Sequence, residues 1–295
     1  VSRIYKVMDN WLLVAGPMFV FMGLMLERSG IAEKLMNAMQ DLFGKVHGGL
    51  AVTVVMVGVV LAASTGIIAA SVVLLGVMSL PIMLGQKYNQ TVALGTVAAS
   101  GTLGILIPPS LMLIIMADQL TLPVGDLFMG AVFPGLLLST LYVGYILVFG
   151  LVKPQSLPLS EQRRPINMAM LWAVFKTILP PAGLILLVLG SIFMGITTPT
   201  EAAGVGALGA TVLAFFNKRL TRDQLIAVTR DTFRICGYIF GIFVGATCFA
   251  LVLRFLGGDE LITSLLTGLG LGPYGVVGVI FVCAHGFCAH WVGGG

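Results

Sequence analysis

"GTVAASGTLGILIPPSLMLIIMAD", Gly95 to Asp118, is apolar for long enough to cross a bilayer, yet it carries Gly101, Gly104, Pro108 and Pro109 where a continuous helix favours Leu or Ala. An unbroken helix over residues 91–118 would be about 42 Å long, against a hydrocarbon core of about 30 Å. Pro108 and Pro109 each lack the backbone donor a helix uses, and Pro108 pushes Ile107 out of helical geometry. Gly101 and Gly104 tolerate any backbone angle and let another chain approach closely. The stretch therefore reads as a helix broken at membrane depth. Each amide or carbonyl freed there is costly unless a neighbour or a ligand satisfies it. Bare carbonyls and a half-helix N-terminus are in turn ligands for a small cation and for a carboxylate. Ser100, Thr102 and Ser110 add hydroxyl oxygens, the donor type a hard cation prefers. The alternative is a proline kink that only shapes packing.

Just upstream, residues 50–84 hold two apolar runs around "AASTGIIAAS" (62–71). The first limb rises about 21 Å and the second about 27 Å, so the first falls short of a full crossing. The pair reads as a re-entrant hairpin turning at Ser64, Thr65 and Gly66, which requires protein or water around its tip. Two tilted spans joined by a tight turn are the alternative.

The rest of the chain fixes the solvent. With 58% hydrophobic residues, 9% charged and a mean hydropathy of +1.05, it cannot fold as a water-soluble globule. Apolar runs at 11–26, 50–63, 67–84, 91–117, 127–152, 170–196, 202–216, 235–253 and 261–284 do not alternate, which excludes a β-barrel and predicts an all-α polytopic membrane protein. The net charge of +4 is concentrated in four connecting segments, 27–47, 85–90, 153–167 and 217–234. Two apolar runs separate each from the next, so all four fall on one face, cytoplasmic by the positive-inside rule. Asp118, Asp126 and Glu201 lie in the opposite turns, whereas Arg3 and Lys6 fall on the wrong side of this count. The bilayer is the expected surroundings and no nucleic-acid partner is expected.

Other motifs have plainer readings. In "GITTPTEAAGVGALGA" (195–210), Thr198, Pro199 and Glu201 spell a capping box, and Gly204, Gly206 and Gly209 allow close helix packing; a partner contact is the lesser role open to Glu201. Arg254 closes an apolar run, where it snorkels to the interface or else holds a substrate carboxylate. Cys236 and Cys248 read as small packing residues. "CAHGFCAH" (283–290) lacks the loop that separates ligand pairs in zinc sites and predicts no metal. No HExxH or GxxxxGK[ST] occurs, no His lies between His47 and His285, and no charged ring marks a pore, so neither an enzyme, an ATP-driven motor nor a channel is expected. Val1 opens the chain without a signal-peptide pattern, and a piece of a longer frame is expected.

Together, "ERSGIAEKL" (27–35), "AASGTLGILIPPS" (98–110), "GITTPTEAAGVGAL" (195–208) and "LRFLGGDELI" (253–262) resemble the large membrane subunit of TRAP transporters, the tripartite ATP-independent periplasmic family, in the same order from about Met18 to Tyr274. "ASTGIIAAS" (63–71) is similar to the branch named for mannitol or chloroaromatic compounds. The resemblance implies an elevator-type secondary transporter of inverted repeats in the bacterial inner membrane. It also implies sodium as coupling ion, an organic acid as substrate, a small membrane subunit, and a periplasmic solute-binding protein. Carried onto this chain, the sodium and substrate region is Ser64, Thr65 and Gly66 at the hairpin tip with Ser100, Gly101, Thr102, Gly104, Ile107 and Pro108 at the break. The chain then reads as a single integral membrane domain over 1–295. Its parts are an amphipathic cytoplasmic segment 27–47, a re-entrant hairpin 50–84, a broken helix 91–118, cytoplasmic connectors 153–167 and 217–234, and the start of an incomplete second repeat at 235–295. Beyond Tyr274 the family's second hairpin and second broken helix do not follow, and "FCAHWVGGG" (287–295) stands instead, so this polypeptide alone is expected not to transport. A sodium or proton symporter of organic anions that works without a binding protein is the other reading.

Overall fold

The computed structural model describes residues 11–43, 46–66, 68–159 and 168–293, and among them the regular structure is helical, with no strand. A 3-10 turn (Trp11–Val14) leads into α1 (Ala15–Arg28) and α2 (Ile31–Phe43). The two hairpin limbs are α3 (Gly49–Thr65) and α4 (Ile68–Gly85), and the broken stretch is α5 (Gln90–Leu106) with α6 (Leu111–Leu120). Then come α7 (Val124–Val152), α8 (Met168–Phe193), α9 (Pro199–Phe216), α10 (Arg222–Phe255), α11 (Gly258–Gly268) and α12 (Pro273–Gly293). Four of these, α7, residues 174–193 of α8, α9 and α10, are long and apolar enough to cross a membrane, and α5 with α6 makes a fifth if the bent pair is one span. The residues divide into two compact units, Asp9–Tyr238 and Ile239–Gly295, with the division inside α10.

Within Asp9–Tyr238 the core is built from small and branched side chains on α2 to α5. The inner face of α2, Leu35, Met36 and Met39, packs with Val54, Val55 and Val57 of α3, Leu75 of α4 and Val97 of α5, while Glu33, Lys34 and Asn37 stay exposed. This is the stripe an amphipathic helix needs. Helix α9 lies against α1 and α8 through Ala202, Ala203, Gly206, Ala207 and Ala210. A Cβ at Gly206 would stand 2.5 Å from Met22 Sδ, and one at Gly209 2.3 Å from Leu184 Cδ1, so a larger residue at either position would force those side chains to shift. Gly204, by contrast, meets nothing within 4 Å. The capping box forms: the Glu201 amide donates to Thr198 Oγ1 at 3.3 Å, and Glu201 Oε2 accepts from the Thr198 amide at 2.8 Å.

Polar bonds join the four basic segments. Lys34 Nζ donates to Asn217 Oδ1 at 2.7 Å, Arg219 pairs with Glu33 at 3.3 Å, and Arg28 pairs with Asp231. The Asn89 amide donates to the Ser156 carbonyl at 3.0 Å, and His47 Nδ1 lies 3.1 Å from the Leu157 carbonyl. Segments 27–47, 85–90, 153–157 and 217–231 are thus tied to one another, while Leu122 to Asp126 and Ile192 to Pro199 meet around a separate cavity. The charged stretch before residue 235 and the apolar run after it form a single helix of 34 residues, because backbone hydrogen bonding continues where side-chain composition changes.

The start of α3 depends on a distant side chain. Gly48, at its N-cap, has φ +80° and no side chain to cap with. The Leu50 amide donates instead to Tyr88 Oη at 3.3 Å. Tyr88 is buried, and that burial pushes its phenol up to about 12. Tyr88→Phe leaves a buried donor without a partner and is expected to lower the unfolding free energy in detergent by about 1–3 kcal/mol, read from chemical denaturation beside the parent chain.

Within Ile239–Gly295, the end of α10 turns through Gly257, at φ +74°, into α11. Arg254 Nε donates to Asp259 Oδ2 across that turn at 2.7 Å, a partner that neither reading of Arg254 anticipates. The Cys283 thiol is exposed, while the side chains of His285, Cys288 and His290 lie outside the described residues.

Candidate functional site at the break between α5 and α6

Helix α5 stops at Leu106. Ile107 takes φ −87° and ψ 119°, Ser110 takes φ −120° and ψ 130°, both extended, and α6 departs with a bend of 40°. The residue before a proline is driven to this region by the proline ring. The Pro108–Pro109 peptide is cis. The Ile107 amide still reaches the Leu103 carbonyl at 2.9 Å. Gly104 and Ile105 would take their helical donors from residues 108 and 109, which as prolines have none, so both carbonyls lose that bond by chemistry alone. On the other side of the break the first amides of α6 have no earlier turn to bond, and this end of the ten-residue helix carries partial positive charge.

Ser110 sits between these two ends. It is fully buried at the N-cap of α6, makes no capping bond, and its Oγ has no hydrogen-bond partner. Most buried hydroxyls are satisfied, so an orphan one calls for a reason. Ser64 and Ser100 are buried as well, but each is spent on its own helix, Ser64 Oγ on the Leu61 carbonyl at 2.8 Å and Ser100 Oγ on the Thr96 carbonyl at 2.6 Å.

The hairpin tip is seated on the break. Gly66 ends α3 with φ +60°, its amide bonded to the Ala62 carbonyl at 3.2 Å. A Cβ there would lie 2.8 Å from the Pro109 carbonyl oxygen and 3.3 Å from Ser110 Cα. Further along α5, Ser100 Cβ would be 2.8 Å from a Cβ at Gly58 of α3, and a Cβ at Gly101 would be 2.1 Å from Val72 Cγ2 of α4. Helix α5 is thereby wedged against both limbs of the hairpin. Ile107 is buried against α7, its Cγ1 3.0 Å from the Cβ position of Gly135.

Of the residues singled out in the sequence, the structure brings Gly66 to the prolines and Ser110, and buries Ser64, Ser100, Gly101, Gly104, Ile107 and Pro108. Gly101 and Gly104 lie inside α5 rather than at the interruption, and Gly101 serves close packing. Thr102 stands apart, on the exposed side of α5 with its hydroxyl bonded to the Ala99 carbonyl at 2.8 Å. The Thr65 side chain lies outside the described residues. The sequence places Ser110 among the hydroxyl donors but gives no sign that its hydroxyl, unlike those of Ser64 and Ser100, is unspent; its position directly after the two prolines is the one hint. Among the described residues no cluster of three or more His, Cys, Asp or Glu is present, so what the break offers is carbonyl and hydroxyl oxygen beside a helix N-terminus. That donor set suits a hard monovalent cation on one side and a carboxylate on the other.

Comparison with known proteins agrees with the motif order. The family model described as "Tripartite ATP-independent periplasmic transporter, DctM component" matches residues 1–287. The chain is 30% identical over 97% of its length to the C4-dicarboxylate TRAP transporter large permease protein DctM of Pseudomonas aeruginosa. It is 29% identical over 93% to the ectoine/5-hydroxyectoine TRAP transporter large permease protein UehC of Ruegeria pomeroyi, and 30% identical over 82% to the sialic acid TRAP transporter large permease protein SiaM of Vibrio cholerae. It spans 66%, 63% and 56% of the lengths of these three relatives.

Proposed function

Because the chain belongs to the DctM component family of tripartite ATP-independent periplasmic transporters, we propose that it forms part of a large permease that imports a small organic acid, coupled to sodium, across the bacterial inner membrane. The relatives' names range over C4-dicarboxylate, ectoine and sialic acid, so the assignment stops at a class, a dicarboxylate or related carboxylate. A small membrane subunit and a periplasmic solute-binding protein that delivers the substrate complete the system. The movement is of elevator type, with inverted repeats.

The observation that carries this reading is the seating of Gly66 on Pro109 and Ser110, with a buried hydroxyl left unpartnered at the contact. Sodium entering there takes oxygens from the end of α5, the hairpin tip and Ser110. It neutralises their mutual repulsion and fixes the tip, so the carboxylate can settle near the positive end of α6. The sodium and substrate region is Ser64, Thr65, Gly66, Ser100, Gly101, Thr102, Gly104, Ile107 and Pro108, with Ser110 added. Thr102 serves it from the open side of α5, where a second repeat would supply the other wall. Each charge moved inward gains about 2.3 kcal/mol per 100 mV, so a few ions drive steep accumulation without ATP.

The test is Ser110→Ala in the full-length permease, reconstituted with its partners in proteoliposomes under a sodium gradient. Uptake is expected to fall to the level seen without sodium. The unfolding midpoint is expected to stay level or rise, because no hydrogen bond is removed. Sodium-dependent uptake that survives the substitution would refute the site.

A further inference from the structure

The part of α10 that precedes Tyr238 is basic and apolar on the same face. Val228, Thr232 and Cys236 form its buried side. On the opposite side Ile226, Phe233 and Tyr238 are 56%, 74% and 72% exposed, and Arg230 and Arg234 stand exposed among them, one helical turn apart. Leu225, Ile226, Thr229, Arg230, Phe233 and Arg234 line an open groove of about 650 Å³ on this side, apolar side chains beside the two arginines. Arg28, Arg219 and Arg254 each hold a carboxylate, whereas among the described residues Arg230 and Arg234 hold none. The ion pair from Arg28 to Asp231 fixes this stretch to the end of α1, so the arginines sit on an anchored element.

Water does not favour that much exposed aromatic and branched surface, and hydrocarbon does not accept two guanidiniums. Both are satisfied together at the headgroup level of a bilayer, and the basic segments mark the cytoplasmic leaflet. We propose that Arg230 and Arg234 form a seat for the phosphate of an anionic phospholipid of the phosphatidylglycerol type, whose acyl chains cover Phe233 and Ile226. A guanidinium fork matches phosphate oxygens in pairs, which a single ammonium cannot do. An acidic protein segment would answer the charge but leave Ile226 and Phe233 uncovered, and the lipid answers both.

The experiment places the chain in phosphatidylcholine nanodiscs containing a minor fraction of phosphatidylglycerol and counts lipids retained on release by native mass spectrometry. The parent chain is expected to retain phosphatidylglycerol preferentially. Arg230→Gln with Arg234→Gln is expected to cut that preference about thirtyfold, as loss of two juxtamembrane cations implies. Arg230→Lys with Arg234→Lys is expected to keep an intermediate preference, and Arg254→Gln, whose arginine is already paired, the full one. Unchanged thermal unfolding of the glutamine pair shows that the loss is not one of folding. Full retention by the glutamine pair overturns the proposal. Equal retention of both lipids by the parent chain also overturns it and leaves an acidic protein segment as the occupant.

Discussion

Gly66→Val is expected to lift the hairpin tip off the break at a cost of about 3 kcal/mol or more, from two independent penalties. The first is conformational. Gly66 holds φ +60°, which a β-branched residue adopts only under strain. The second is steric. The new Cβ would stand 2.8 Å from the Pro109 carbonyl oxygen, a backbone atom that cannot swing aside as a side-chain end would without moving the chain around it. Gly66→Ala incurs both penalties with fewer atoms and is expected to fall between valine and the parent. Gly95→Ala is the control: Gly95 lies within α5 at ordinary φ with nothing within 4 Å, so alanine there is expected to gain about 0.5–1 kcal/mol. Denaturation midpoints in detergent rank the four chains. Equal midpoints for Gly66→Val and the parent would mean that the tip does not rest on Pro109.

The tip and the break were legible in sequence because both are set by local chemistry. Proline acts on its own amide and on the residue before it, which locates the interruption at Ile107 with no knowledge of neighbours. A glycine after two hydroxyl residues at the end of an apolar limb marks a left-handed helix end, and Gly66 is one. The first limb proves longer than its apolar run, 17 residues and about 26 Å, because Gly49, Ser64 and Thr65 join the helix; it still falls below the thickness of the hydrocarbon core. Where the cause is a neighbour, the sequence is silent. Gly101 has the freedom to break a helix, but freedom is not instruction, and Val72 on another helix decides that it packs. That Ser110, unlike Ser64 and Ser100, keeps an idle hydroxyl depends on which carbonyls lie within reach of each serine. The continuity of α10 is hidden in the sequence for a different reason: a change from charged to apolar side chains is a change of solvent, and a helix satisfies its own backbone in either.

Replacing Pro108 and Pro109 together by alanine is expected to abolish sodium-dependent uptake in the full-length permease while leaving the protein inserted and at least as helical. The substitution restores donors to the carbonyls of Gly104 and Ile105 and removes the constraint on Ile107, so α5 can run into α6. A rod from Gln90 to Leu120 would be about 46 Å long against a core of about 30 Å, and its register would carry Ser110 away from Gly66. The result separates two meanings of the break. If the prolines only shape packing, straightening the helix pulls Ile107 from its place against Gly135, lowers the unfolding midpoint, and leaves whatever uptake survives still responsive to sodium. If the break exists to keep oxygens unpaired, healing it satisfies the backbone, so helicity holds or rises while coupling disappears. Pro109→Ala alone sharpens the contrast, because it returns a donor to Ile105 and leaves Gly104 without one; partial loss of sodium response is expected there. Helix content by circular dichroism and uptake at varied sodium, measured on the same preparations, distinguish the two, and a double-alanine protein that transports with unaltered sodium dependence would rule out the break as the coupling site.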